Sequence, residues 1–441
     1  MRICGSKWLQ SFRRSFFIAG IGIALASSLI AQSPGTGEAY TTYHLPPDKL
    51  AKAIVLGRER LFLHFGFELW GLAVLWLLLA SGTAAKLADW VARRSRLWWL
   101  QGGIYSALLV IAVFIVGEIP FAVAGHAVSL HYGISVEGWG AWLLDMAKAL
   151  GLAVVLETPL LMLALGLMRW DWSQRRYWLW FWAAAVPIML LGTFLLPALV
   201  EPLFDTYEPL AQSHPALVRD LERVVARTGT SIPPERMFLM KASEKSNGLN
   251  AYVTGIGASK RIVIWDTTAD RMPEDEILFT FAHESGHYVL NHIPKGLALA
   301  TVGMFMFFWL TASLSAWLVR RFGVRWHVDS IGSLPGLTVL LLVVMALQVA
   351  TEPITSFASR HIEHEADVYG QEAIHGIVAD PQRTAVAAFQ QLGEVYLDDP
   401  DPNKFVEFWI SDHPSIQSRS TFAAHYDPWA AGQTPTFFSK P

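Results

Sequence analysis

Two imidazoles stand four positions apart, with a carboxylate between them, in His283-Glu284-Ser285-Gly286-His287. On a helix, positions i and i+4 share one face, so both rings can reach a single ion. Glu284 is about 100° round the helix from His283, placed to take a proton from water on that ion. With 14 His in 441 residues, chance supplies roughly 0.02 matches to such a pattern. A catalytic tetrahedral site needs a third ligand and a fourth position open to water.

Residues Ser359–Gly370 offer that ligand in Ser-Arg-His-Ile-Glu-His-Glu-Ala-Asp-Val-Tyr-Gly. Glu363 and Asp367 are again four apart. Glu363 can bind the metal, while Asp367 can accept the free N–H of a ligating histidine and fix its tautomer. His364 and Glu365 are rival ligands. Cys4 is the only cysteine, which excludes a disulfide framework and a thiolate cluster.

The expected chemistry is hydrolysis. Two neutral imidazoles and one carboxylate leave a zinc ion net positive, which brings ionisation of its water to about pH 7. Glu284 then acts as general base and returns the proton to a leaving amine. A further donor must meet the developing oxyanion. His413, in Asp412-His413-Pro414-Ser415-Ile416-Gln417-Ser418-Arg419, is the candidate.

The elements that position these groups are readable. Pro273 followed by Glu274, Asp275 and Glu276 predicts a helix over Glu274–His292, its acids complementing the helix dipole. Asn250–Gly255 reads as a short strand, with Gly257–Lys260 turning into a second strand at Arg261–Trp265. A strand edge beside the metal could hold an extended peptide by main-chain hydrogen bonds. The run Asp398–Pro402 lacks the Gly and bidentate Glu of a calcium loop and reads as a solvated turn.

Composition sets the environment. Hydrophobic residues make up 53% of the chain and charged residues 16%, with 19 Trp; a soluble domain carries roughly a quarter charged residues. Six apolar runs suit membrane helices of about 20 residues: Phe62–Ala80, Ile104–Ala122, Met146–Met168, Tyr177–Leu196, Leu297–Val319 and Leu334–Ala350. A seventh, Phe16–Ala31, follows Arg13-Arg14 and also suits a signal peptide; we read it as a retained span. The net charge of −3 gives no basic footprint for nucleic acid. Division falls into a membrane part, 1–204, and a metallopeptidase part, 205–441, that includes the last two spans. Lys and Arg cluster in alternate loops, which by the positive-inside rule leaves residues 205–295 outside the cytoplasm.

These features together resemble the type I CAAX prenyl endopeptidases, seven-span membrane zinc proteases. The resemblance rests on the span pattern, the HExxH helix, the E-x-x-x-D helix leaving the last span, the Asn-Ala-Tyr strand and the H-P-x-x-x-x-R element. It implies a mainly α, polytopic fold whose seven helices enclose a water-filled chamber, with a gluzincin-like α+β protease domain. It also implies one Zn2+ held by His283, His287 and Glu363, Glu284 as base, and Asp367 as a supporting acid. His413 and Arg419 would contact the reacting carbonyl, and Asn250, Ala251 and Tyr252 would begin the substrate-binding edge. Intramembrane acids such as Glu68, Glu118 and Glu157 are candidates to line that chamber, since buried membrane acids are costly and usually functional, and the sequence leaves open which of them face it.

The implied partners are a lipid bilayer and a peptide or protein substrate, prenylated or not. The implied location is a bacterial inner membrane or the endoplasmic reticulum, with a cytosol-facing protease domain, opposite to the loop charges. Competing readings are a quality-control membrane protease, a protease cutting within transmembrane segments, and a non-catalytic polytopic binding or chaperone protein with structural zinc.

Overall fold

The structure, a computed structural model, describes residues 42–170, 176–255 and 257–438. The expected span at Phe16–Ala31 lies outside the described residues. All six other expected spans are helical. They fall in α1 (Pro47–Ala80), in α2 (Trp98–Ala112) running through a π-helical turn at Val113–Glu118 into α3 (Ile119–His131), and in α4 (Trp139–Trp170). The remainder are α5 (Tyr177–Phe194), α8 (His292–Trp326) and α9 (Leu334–Ala373).

These helices leave large apolar side chains outside. Leu143, Leu144, Val155 and Leu163 of α4 are all more than 40% exposed. Exposed apolar side chains on helices long enough to cross a bilayer suit contact with hydrocarbon.

The remaining elements form a small α+β unit. Its strands β1 (Tyr207–Pro209), β2 (Met237–Met240), β3 (Ala251–Thr254) and β4 (Arg261–Trp265) make one sheet in the order β1-β2-β4-β3. β3 pairs antiparallel with β4, Ala251 opposite Ile264, and β2 pairs parallel with β4. β3 is therefore an edge. α7 (Glu274–Val289) packs on β3, α6 (Pro215–Thr228) and α10 (Pro381–Tyr396) pack on α7, α12 (Ile416–His425) packs on α10, and α11 (Lys404–Ile410) packs on α9.

The shared core includes Leu239, Ile264, Ile277, Phe281 and Phe389. Each such fully buried side chain contributes roughly 1.5–3 kcal/mol. Asp398, expected in a solvated turn, is half-buried, with Oδ1 3.5 Å from Arg60 Nη1 of α1. The ion pair ties the first described span to the protease unit.

One departure from the sequence expectation and one agreement with it shape the site. The helix expected over Glu274–His292 stops at Val289, because Asn291 takes a left-handed conformation (φ 59°) and α8 begins afresh at His292. The acid-bearing segment Ser359–Gly370 runs out of the last span as expected: both lie in α9, one helix of 40 residues.

Candidate active site

Helices α7 and α9 must approach closely for their side chains to converge. Two glycines permit it. A Cβ at Gly370 would lie 2.9 Å from the backbone nitrogen of His283, and one at Gly286 would lie 3.0 Å from the ring of Tyr369. With both absent, the imidazole pair of α7 faces the carboxylates of α9.

His283 Nε2 and His287 Nε2 are 3.3 Å apart. Glu363 places Oε2 3.2 Å from the first and Oε1 3.7 Å from the second. These three residues form a group whose candidate donor atoms lie within 4.8 Å of one another. A tetrahedral zinc ion with bonds of about 2.0–2.1 Å holds neighbouring ligand atoms about 3.3 Å apart. The donor set fits such an ion in kind and in spacing.

Each imidazole has a partner behind it. His283 Nδ1 faces Asp367 Oδ1 at 2.9 Å. Arg419 donates to Asp367 through Nε (2.8 Å) and Nη2 (2.6 Å). His287 Nδ1 lies 3.2 Å from His292 Nδ1, and His292 Nε2 lies 3.0 Å from Glu365 Oε2. A carboxylate acceptor makes His292 carry its proton on Nε2, which leaves Nδ1 to accept from His287 Nδ1–H. Both candidate ligands thereby turn an Nε2 lone pair toward the same point.

Electrostatics set the two imidazoles apart. Burial and the neighbouring His283 hold the His287 imidazole down at about 3, so it stays neutral. Burial also disfavours a charged His283, but Asp367 and Glu363 outweigh it and raise the group to about 10. The pocket attracts positive charge.

Four other expected residues line one cavity of about 850 Å³ together with this cluster: Glu284, His413, Arg419 and Asn250. His413 Nε2 is 3.1 Å from Glu363 Oε2, and its Nδ1 is 2.9 Å from Asp412 Oδ1. Burial opposes a proton on His413, but Glu363 and Asp412 prevail and raise its affinity for one. Ala251 and Tyr252 also line the cavity. The Tyr252 hydroxyl is turned to Glu201 Oε2 at 3.3 Å, so Tyr252 meets the cavity with the rest of the residue. Asn250 is pinned through its backbone, its N–H donating to Thr268 Oγ1 at 2.7 Å.

The intramembrane acid of this lining is Glu352. Glu68, Glu118 and Glu157 are not among the lining residues. Helical periodicity places an acid on a face, but packing decides which face meets the cavity. His292 and Glu365 were equally hidden: the one signal was a histidine five positions beyond His287, and Glu365 read as a rival ligand. Leu156, Leu160, Ile188, Leu191 and Leu199 add apolar side chains to the same lining.

Spans and cluster together define a multi-pass membrane metalloprotease. The signature of peptidase family M48 matches residues 211–426, and that of the CAAX prenyl protease N-terminal region, with five membrane helices, matches residues 38–206. A Bacillus subtilis protein described as an uncharacterised metalloprotease, YhfN, is 31% identical over 409 residues, covering 92% of this chain and 91% of that one. The chain belongs to peptidase family M48.

CAAX prenyl protease 1 of Saccharomyces cerevisiae is 28% identical over 271 residues, 58% of each chain. The Dictyostelium discoideum homologue is 25% identical over 265 residues, 59% of this chain and 61% of its own. The crystal structure of Saccharomyces mikatae Ste24p superposes with a TM-score of 0.71 at 19% identity, covering 95% of this chain and 96% of that one. At that identity the likeness speaks for the fold alone.

Proposed function

We propose that this protein is a zinc metalloendopeptidase in which His283, His287 and Glu363 hold the ion. The observation that carries the proposal is the convergence of their donor atoms within 4.8 Å, beside a cavity that also contains Glu284. When bound, zinc would acidify a water and polarise the peptide carbonyl. Glu284, in the same cavity, would take a proton from water and deliver it to the departing amine. His413 donates to the oxyanion that develops on the carbonyl. Asp367 holds His283 in the ligating tautomer. The free edge of β3, entered at Asn250, Ala251 and Tyr252, aligns the substrate backbone as an added strand.

The division at 204/205 separates a membrane part from a metallopeptidase part. The substrate class follows from the lining of the cavity. It joins the polar machinery and a strand edge to a set of apolar side chains. A peptide bearing an apolar appendage fits both, and relatives named as CAAX prenyl proteases make a prenylated C-terminal peptide the leading form.

Cleavage of matched prenylated and unprenylated peptides by purified protein, with product masses measured, tests this. Release of a C-terminal tripeptide from the prenylated form alone is the expected result. Equal cleavage of both forms would instead favour general membrane proteolysis. Glu284→Gln should retain zinc and lose about 10²–10⁴-fold in rate. Wild-type turnover by the zinc-loaded variant would sink the mechanism.

A further inference from the structure

A set of large apolar side chains lies bare at the edge of the protease unit. Phe405 and Phe408 of α11 are 55% and 52% exposed, and the helices beside it also leave large apolar side chains bare: Phe357 (53%) and Ile354 (45%) of α9 and Phe62 (73%) of α1. Phe405 and Phe408 are three apart and therefore share a face of α11. Exposed Lys404 opens that helix.

The depth of this patch can be read from the helices beside it. His64 lies against Glu352 at 3.0 Å, and a Cβ at Gly71 would run into Met345. Seven residues along α1 thus match seven residues back along α9, and the two run antiparallel in register. At 1.5 Å per residue, about 20 residues cross the ~30 Å hydrocarbon layer. A crossing that starts at Leu334 emerges near Ile354, and the register puts Phe62 at the same level.

Helix α11 is fastened there. Ser356 Oγ donates to the Trp409 carbonyl at 3.1 Å, and Arg360 Nη1 donates to the carbonyls of Glu407 and Ser411 at 2.7 Å each. Phe65 of α1 packs with the rings of Phe405 and Trp409, centroids 6.4 and 6.2 Å away. α11 is thus held against two spans that themselves leave large apolar side chains exposed at this level. Aromatic side chains with a flanking lysine, at the level where spans leave the hydrocarbon, are what an interfacial anchor requires.

We propose that α11 is a membrane-docked helix, with Phe405 and Phe408 seated in the headgroup–acyl boundary of the bilayer. Two residues after α11 comes Asp412-His413. The bilayer would thereby set the position of the chain segment that carries His413 to Glu363. The inference concerns depth in the membrane and uses no catalytic step, so failure of the proteolysis assays leaves it standing.

Cysteine placed at Phe408, with Cys4→Ser removing the native thiol, allows attachment of an environment-sensitive fluorophore in phosphatidylcholine nanodiscs. A label at exposed Glu222 of α6 is the aqueous control. The expected result is several-fold stronger quenching by a shallow doxyl lipid than by iodide at 408, and the reverse at 222. Stronger iodide quenching at 408 would place the face in water and overturn the proposal. Protection from both quenchers would also overturn it, showing that a second copy or another protein covers the face. Phe405→Cys gives an independent reading. Both side chains are more than half exposed, so neither substitution opens a core cavity.

Discussion

His292 Nδ1 stands 3.2 Å from His287 Nδ1 while its other nitrogen reaches Glu365 Oε2 at 3.0 Å. The candidate ligand His287 is thus held by a two-residue relay from a different pair of helices, as His283 is held directly by Asp367. Groups behind metal-ligating histidines typically contribute 10–100-fold to affinity. His292→Ala is expected to weaken zinc binding by about that factor, measured by competition with a chromophoric chelator. Glu365→Gln retains an acceptor oxygen and should lose less. Unchanged affinity in His292→Ala would show that the relay is packing only.

The closeness of α7 and α9 gives a second test. A Cβ at Gly370 would meet His283 N, Cα and Cβ at 2.9, 3.1 and 3.2 Å. Backbone atoms cannot rotate away, so the helices must part. Overpacking of this kind costs about 1–3 kcal/mol. Gly370→Ala should therefore lower thermal stability and loosen zinc together. Gly166→Ala in α4, where nothing lies within 4 Å of the added carbon, should change neither. Full zinc affinity in Gly370→Ala would mean that the donor atoms tolerate the displacement.

How much of this was legible in the sequence depends on the range of the cause. The pairs His283/His287 and Glu363/Asp367 are local, because a helix brings i and i+4 together whatever surrounds it. The spans follow from apolar length, and β4 was bounded correctly by its flanking turn. The relay through His292 was not legible. It depends on Asn291 breaking the helix with a left-handed residue and on α9 presenting Glu365 to the far side. The choice of Glu352 over Glu68, Glu118 and Glu157 at the cavity is likewise a matter of tertiary packing. Arg419 gained its partner Asp367 across 52 positions, beyond any periodic pattern.

Glu276 carries a pH signature. It sits in the first turn of α7 with Oε2 buried and lacking a hydrogen-bond partner among the described residues. Burial, reinforced by Asp275, pushes its carboxyl up to about 7. A carboxyl whose folded value lies above its unfolded value favours the folded state while protonated. That contribution is full below about pH 4.5 and is lost as the pH rises to about 7. Glu276→Gln, always neutral, should be the more stable form at pH 8, with the advantage gone at pH 4. Thermal unfolding at the two pH values decides it; an equal difference at both would assign the effect to packing.

The last test concerns Arg419, which the family resemblance puts at the reacting carbonyl and the geometry puts against Asp367. Its Nε and Nη2 bond the two oxygens of Asp367, and both residues are under 9% exposed. Removing one partner of a buried ion pair leaves the other charge unsatisfied, at a cost of about 3–5 kcal/mol. Arg419→Met should lower stability by that order, and zinc affinity should fall with it because Asp367 no longer holds His283. Arg419→Lys restores charge without the two-pronged geometry and should recover part of both. A cycle with Asp367→Asn separates the two roles. If Arg419 acts through Asp367, the double variant should be little worse in turnover than Asp367→Asn alone, with a coupling energy of about 0.5–3 kcal/mol. If Arg419 also meets the substrate, its loss should reduce turnover further in the Asp367→Asn background, even at saturating zinc.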